Sequence, residues 1–185
     1  MARNNQVRII GGEWRSRRID FPDHEGLRPS ADRVRETLFN WLGQDLGGRR
    51  CLDLFAGSGA LGFEALSRGA AAVVMVEKSR RVCAALRRNA ELLAAKNLQV
   101  HCADALEFAA AAAADAAARF DLVFLDPPFG SAMLAQVLPA VPPLLRPGAQ
   151  VYVESATAFA ASGRWRIYRQ GRAGQVYYTL VTYGD

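Results

Sequence analysis

The sequence predicts a single α/β domain: a mostly parallel sheet of seven strands with helices on both faces, closed by an antiparallel hairpin and preceded by a small β-hairpin. Three observations predict it. Four apolar runs, residues 52–55, 71–76, 99–102 and 120–125, recur with helical patterns between them, and each delivers a carboxylate near its C-terminal end: Asp53, Glu77, Asp104 and Asp126. The first run breaks into Ala56-Gly57-Ser58-Gly59-Ala60-Leu61-Gly62, which reads as a buried strand, a tight loop and a helix start. A length of 185 residues with 51% hydrophobic residues suffices for one full core without a second domain.

The elements follow in order. Val7-Arg8-Ile9-Ile10, the Gly11-Gly12 turn and residues 14–21 read as a hairpin whose exposed Arg8, Arg15, Arg17 and Arg18 are interleaved with Trp14. Basic residues around an aromatic grip phosphates and stack a base, so residues 1–26 are expected to be an RNA-contacting extension of a main domain over 27–185. After a linker at 22–26, Ser30 is the expected N-cap of a helix with Val34, Leu38, Trp41 and Leu42 on its apolar face. Arg33, Arg35 and Glu36 are then left to solvent or ligand, and Gly47-Gly48 ends the helix.

Leu61, Phe63, Ala65 and Leu66 continue a helix to Gly69, and residues 79–95 form an amphipathic helix with a solvated arginine face. Residues 107–119 are an alanine-rich helix, and 133–145 a further helix closed by Pro147-Gly148. Residues 149–154 are the fifth strand, and 164–169 and 175–182 flank the turn Gly171-Arg172-Ala173-Gly174 as a terminal hairpin. That hairpin departs from an all-parallel dinucleotide-binding sheet and disfavours a nicotinamide oxidoreductase.

The net charge of +5 is divided as +4 over residues 1–18, +3 over 164–185 and −2 between them, which suggests a polyanion, nucleic acid first, held by the two ends. Cys51, Cys83 and Cys102 read as free thiols of a reducing cytoplasm, and the isolated His24 and His101 imply no metal site. Residues 1–6 lack the apolar core of a signal peptide and no run reaches membrane-spanning length, so the expectation is a cytoplasmic protein without a membrane partner.

The chemistry lies in two motifs. Gly62 follows Gly59 at the dinucleotide-loop offset, so spacing alone leaves a dinucleotide open, but the Asp53 carboxylate beside the loop repels pyrophosphate and attracts a cation such as a methionine ammonium. Here the chain resembles the class I S-adenosylmethionine-dependent methyltransferases, a Rossmann-like fold. The resemblance implies S-adenosyl-L-methionine as cofactor. Asp53, Gly57 and Gly59 would line its methionine side, Glu77 its ribose hydroxyls and Asp104 its adenine amine, with Phe55, Ala56, Lys78 and Ala105 completing the surface.

The second motif is Asp126-Pro127-Pro128-Phe129. A nucleobase amine is a poor nucleophile, because its lone pair is delocalised into the ring. A carboxylate and a main-chain carbonyl, aimed by two prolines, can accept both N–H bonds and draw the nitrogen toward tetrahedral geometry, while Phe129 stacks the base. The tetrapeptide fits adenine, cytosine, guanine or a glutamine amide.

Arg8-Ile9-Ile10-Gly11-Gly12 with Arg17-Arg18, then the string from Leu27-Arg28-Pro29-Ser30 through Arg33-Val34-Arg35-Glu36 to Trp41-Leu42, is similar to the bacterial RsmD family of small-subunit rRNA guanine-N2 methyltransferases. That resemblance spans nearly the whole chain. It implies a monomeric enzyme that methylates the N2 amine of one guanine of 16S rRNA in the small subunit, with Asp126, Pro127, Pro128 and Phe129 catalytic and Arg8, Arg15, Arg17, Arg18 and Arg28 on the RNA. An adenine-N6 DNA methyltransferase shares the tetrapeptide logic, but the chain leaves little room for a sequence-reading domain. A non-catalytic RNA-binding assembly factor would leave four strand-end acids surplus.

Overall fold

A computed structural model describes residues 4–23, 30–115, 117 and 119–184. Its elements are β1 (Asn4–Arg8), β2 (Arg18–Pro22), α1 (Asp32–Leu42), β3 (Arg50–Asp53), α2 (Ala60–Ser67), β4 (Ala72–Glu77), α3 (Arg80–Leu92), β5 (Leu98–Cys102), α4 (Ala105–Ala113), β6 (Phe120–Leu125), α5 (Met133–Val137), β7 (Leu145–Ser155), β8 (Trp165–Ala173) and β9 (Val176–Tyr183). β1 and β2 pair alone. The other seven strands form one sheet in the order β5-β4-β3-β6-β7-β9-β8, with β3 to β7 mutually parallel and β9 antiparallel between β7 and β8.

The central parallel strands β3, β4 and β6 are buried on both faces, which is why they read as continuous apolar runs, whereas β5 at the sheet edge leaves Gln99, His101 and Cys102 exposed. Side chains of the central strands alternate between two cores. Cys51, Val73, Met75, Leu122 and Phe124 face α1, α2 and α3; Leu52, Val74, Val76, Val123 and Leu125 face α4 and α5. The chain runs outward from β3 to β5 and then returns to lay β6 on the other side of β3. This reversal opens a crevice at the carboxyl ends of β3 and β6, the position where open α/β sheets take ligands.

The N-terminal hairpin joins the first core. Val7, Ile9, Trp14, Ile19 and Phe21 are buried there, and Asn89 of α3 exchanges two hydrogen bonds with the main chain of Asp20, at 3.1 and 2.7 Å. Three sequence expectations fail in this half. Gly11-Gly12 is not a two-residue turn: the strands are joined by residues 9–17, and Gly12 lies against α2, where an added Cβ would fall 1.8 Å from the Ser67 carbonyl. Its lack of a side chain serves this close approach and a left-handed φ of 74° at the start of the turn that its carbonyl closes with the Arg15 amide. Trp14 is buried against the core, so its indole is not a stacking platform between the arginines. Arg35, expected at solvent or ligand, is fully buried beside Glu64.

In the other half, the helix expected over 133–145 stops at Val137 and continues as two 3-10 turns, because Pro139, Pro142 and Pro143 lack the amides an α-helix needs. α4 starts earlier than expected, at Ala105, because Asp104 caps it.

Candidate active site

The site is built from strand ends. β3 ends in Asp53, whose side chain is buried; its Oδ2 accepts the Gly62 amide at 3.1 Å, the Phe55 amide also points at the carboxylate, and its Oδ1 has no hydrogen-bond partner of good geometry among the described residues. Gly62 is closely packed here: a Cβ would lie 2.4 Å from Cε at the flexible end of Met75, which would have to move, and 3.3 Å from that same Oδ2. Loss of hydration raises the Asp53 pKa from 3.8 to about 7, against the Gly62 hydrogen bond and with the Glu77 charge adding to the rise. A buried carboxylate oxygen lacking a donor, with the Glu77 and Glu154 charges nearby, is an arrangement that a bound ammonium would complete.

The glycine loop turns from β3 into α2. Gly59 sits at the α2 N-cap with φ 81°, and a Cβ there would meet Phe63 and Leu86 at 2.7 Å, so this glycine answers a packing demand as well as a turn. Gly57 donates its amide to Glu77 Oε2 at 3.1 Å, and the second Glu77 oxygen accepts from Ser79 N at 2.8 Å. Phe55 is half-buried, Ala56 buried and Lys78 exposed. Asp104 N-caps α4, its Oδ1 receiving the Leu106 and Glu107 amides at 2.8 and 3.3 Å, and Ala105 is buried as the first residue of that helix.

Beyond β6, Asp126 is half-buried, Pro127 buried, Pro128 exposed, and the Phe129 ring stands 60% exposed at the rim instead of entering the core. Asp126 meets two residues that sequence reasoning did not single out for the site. Ser30 Oγ lies 3.2 Å from Asp126 Oδ2 and 2.6 Å from Glu154 Oε1, and the Tyr152 hydroxyl donates to Glu154 Oε1 at 2.8 Å. The expected role of Ser30 as N-cap is thereby corrected: Ala31 occupies the N-cap of α1, without a side-chain cap, and the serine hydroxyl is drawn to the carboxylates instead.

Removal from water, then the charges of Glu154 and Asp53, push the Asp126 pKa well above the ordinary carboxylate value. Burial also raises Glu154, partly offset by Ser30 and Tyr152. A signal for Glu154 was present, since it stands near the C-terminal end of the fifth parallel strand on the rim that carries Asp53, Glu77 and Asp126.

Of the basic residues, Arg8 and Arg18 approach this rim, whereas Arg15 lies beside Arg68 at the C-terminal end of α2 and Arg17 at the C-terminal end of α3. Arg8, Arg15, Arg17 and Arg18 are exposed; Arg8 pairs with Asp32 at 3.3 Å, Arg17 donates to the Leu92 carbonyl at 2.8 Å and Arg18 to Gln6 at 3.2 Å. A cavity of about 430 Å³ between hairpin and α1 is lined by Arg8, Arg18, Ser30 and Asp32, so one wall of it reaches the hydroxyl that touches Asp126. Arg28 and His24 lie outside the described residues. Among the described residues no group of three or more His, Cys, Asp or Glu side chains is placed to hold a metal ion, and no helix is long and apolar enough to cross a membrane.

Comparison with known proteins accords with this geometry. The profile of the family described as Conserved hypothetical protein 95 matches residues 7–182. The chain is 42% identical over 182 residues to the ribosomal RNA small subunit methyltransferase D of Escherichia coli K12, covering 96% of this chain and 90% of that protein. To the Haemophilus influenzae protein of the same name it is 38% identical over 179 residues, covering 95% and 93%. The solved structure of Escherichia coli yhhF, assigned as a methyltransferase, superposes with a TM-score of 0.85 at 41% identity over 97% of this chain and 98% of that one.

Proposed function

The chain belongs to the Conserved hypothetical protein 95 family, the RsmD family, and from that premise we propose that it methylates the exocyclic N2 amine of a guanine in 16S rRNA of the small ribosomal subunit, with S-adenosyl-L-methionine as methyl donor. The observation that carries the reading is the meeting, across the crevice between β3 and β6, of an unpartnered buried Asp53 oxygen with the Asp126-Pro127-Pro128-Phe129 corner. One holds a cation, and the other receives an aromatic amine.

The residues present fit the cofactor. Asp53 would hold the methionine ammonium; each Glu77 oxygen keeps a lone pair that would take a ribose hydroxyl beside the amide it already accepts; and Asp104, with Oδ1 engaged at the helix cap, would offer its other oxygen to the adenine amine. When bound, the cofactor supplies a methyl group on a sulfonium. Asp126 and the Pro127 carbonyl accept the two N–H bonds of the guanine amine and aim its lone pair, and Phe129, exposed at the rim, stacks the base. Arg8, Arg15, Arg17, Arg18 and Arg28 hold RNA phosphates, and the rRNA is the partner.

The test incubates the protein and labelled S-adenosylmethionine with small subunits lacking the modification, with naked 16S rRNA and with duplex DNA, and maps the product. Label on one guanine N2 is expected. Label on a DNA adenine, or cofactor binding without any label, overturns the reading. Asp126→Ala serves as control, losing turnover with cofactor affinity kept.

A further inference from the structure

The three contacts around Ser30 do not close with the protons that the neutral hydroxyls supply. Four oxygens take part: Asp126 Oδ2, Ser30 Oγ, Glu154 Oε1 and Tyr152 OH, linked at 3.2, 2.6 and 2.8 Å. Serine and tyrosine each bring one proton, and ionised carboxylates bring none. Tyrosine donates to Glu154, and the short 2.6 Å separation is that of a hydroxyl donating to a charged carboxylate. Nothing is then left to join Ser30 to Asp126 except a proton on Asp126 itself. Two carboxyls bridged by one hydroxyl inside a protein repel each other as anions, and the pair shares a single proton for the same reason.

Resting on the reading that the bound amine is a guanine N2, we propose that Asp126, Ser30 and Glu154 form a proton relay that delivers the proton lost by the amine to Glu154. At rest Asp126 is a neutral acid, its proton on Oδ2 toward Ser30 and its carbonyl Oδ1 without a hydrogen-bond partner among the described residues. As the amine lone pair forms the N–CH3 bond, the S–CH3 bond breaks and its electrons stay on sulfur. The nitrogen, now cationic, releases one N–H proton to Asp126 Oδ1. The Oδ2 proton passes to Ser30 Oγ, and the serine proton passes to Glu154 Oε1. Glu154 ends neutral, Asp126 is again a neutral acid, and the captured proton leaves to water after the product. Ser30 and Glu154 act through Asp126 and are positioning residues; the Tyr152 hydroxyl keeps Glu154 ionised until it receives the proton.

The relay sets the pH dependence. Glu154 is faced by Asp126 from the end of β6, by Asp53 from β3, by Tyr152 on its own strand and by Tyr178, its cross-strand partner on β9. Methyl transfer requires Glu154 ionised, so the rate falls on the acid side as Glu154 takes up a proton.

The experiment is single-turnover methyl transfer to the subunit across pH, with S-adenosylmethionine saturating at every pH so that Asp53 does not shape the profile, for the wild type, Glu154→Gln, Ser30→Ala and Ser30→Thr, with cofactor affinity by calorimetry and Tm measured in parallel. Glu154→Gln keeps the shape and both accepted hydrogen bonds. The relay predicts a rate about a hundredfold lower for Glu154→Gln and for Ser30→Ala, loss of the acid limb in Glu154→Gln, recovery of most of the rate in Ser30→Thr, and cofactor affinity within about twofold throughout. Infrared spectra of the unliganded protein should also show a protonated-carboxyl band that Asp126→Asn removes. A wild-type rate in Glu154→Gln, or a reduced rate with the acid limb unmoved, overturns the relay. Absence of methylation by the wild-type protein would instead overturn the functional reading beneath it.

Discussion

The guanidinium of Arg35 lies 3.2 Å from the carboxylate of Glu64, and neither side chain is exposed. Glu64 also accepts the amides of Ile10 and Gly11 at 2.9 and 2.7 Å and two Arg68 nitrogens at 2.9 and 2.8 Å, while Arg35 donates onward to the Arg8 carbonyl at 2.8 Å and to Asp32 at 2.6 Å. One buried carboxylate thus ties the hairpin connection to α1 and α2. Among the described residues, removing it leaves buried Arg68 without a carboxylate and Arg35 with Asp32 alone. Glu64→Ala is expected to cost about 3–5 kcal/mol in urea unfolding and to speed amide exchange over residues 9–17 before the sheet; equal exchange in both segments would show that Glu64 does not anchor the hairpin.

Asp53 trades stability for binding. Its native pKa of about 7 lies above the ordinary 3.8, so the folded state holds that proton more tightly than the unfolded chain. The stability this contributes is complete below about pH 4 and is lost as pH rises through 7. Asp53→Asn should raise Tm at pH 8 by about 5 °C and remove most of the slope between pH 4 and 8, while abolishing S-adenosylmethionine binding. In the wild type, cofactor affinity measured by calorimetry should climb with pH and level off above about 7, because the ammonium needs the ionised carboxylate.

Phe129 is exposed and contributes little to the core. Phe129→Ala should leave Tm within about 1 °C and cofactor affinity unchanged, yet lower kcat/KM for the RNA substrate by about 10–100-fold, a loss of about 1–3 kcal/mol of stacking. Phe129→Trp should keep most of the activity. A comparable loss in the tryptophan variant would argue against a stacking role.

The exposed arginines answer to salt. Replacing Arg8, Arg15 and Arg18 together by alanine should weaken RNA binding and reduce the slope of log affinity against log salt by about 2–3, with cofactor affinity unchanged. An unaltered slope in a filter-binding titration would move the RNA interface elsewhere.

Much of this site was legible before any coordinates. Period and composition mark each strand and most helices, because buried parallel strands must be apolar throughout and helices must carry a stripe; a carboxylate closing such a run marks the ligand rim. The rule that finds Asp53, Glu77, Asp104 and Asp126 extends to Glu154. The prolines at 139, 142 and 143 are a signal that the expectation of one helix over 133–145 passes over; they break it into a short helix and two 3-10 turns before β7.

By itself the sequence determined the repeating strand-helix order, the glycine loop and the aimed Asp126 corner, since each is a local pattern within a few residues of chain. Only the tertiary structure decided which acids meet and which charges are hidden. Ser30 and Glu154 touch across 124 positions of sequence, and Arg35 finds Glu64 across 29. Such contacts depend on the reversal that sets β6 against β3 and on the hairpin closing over α1 and α2. A charged side chain three residues from a helix start reads as solvated until a distant carboxylate is brought against it, because burial is a property of the whole packed chain and leaves no mark in the local one.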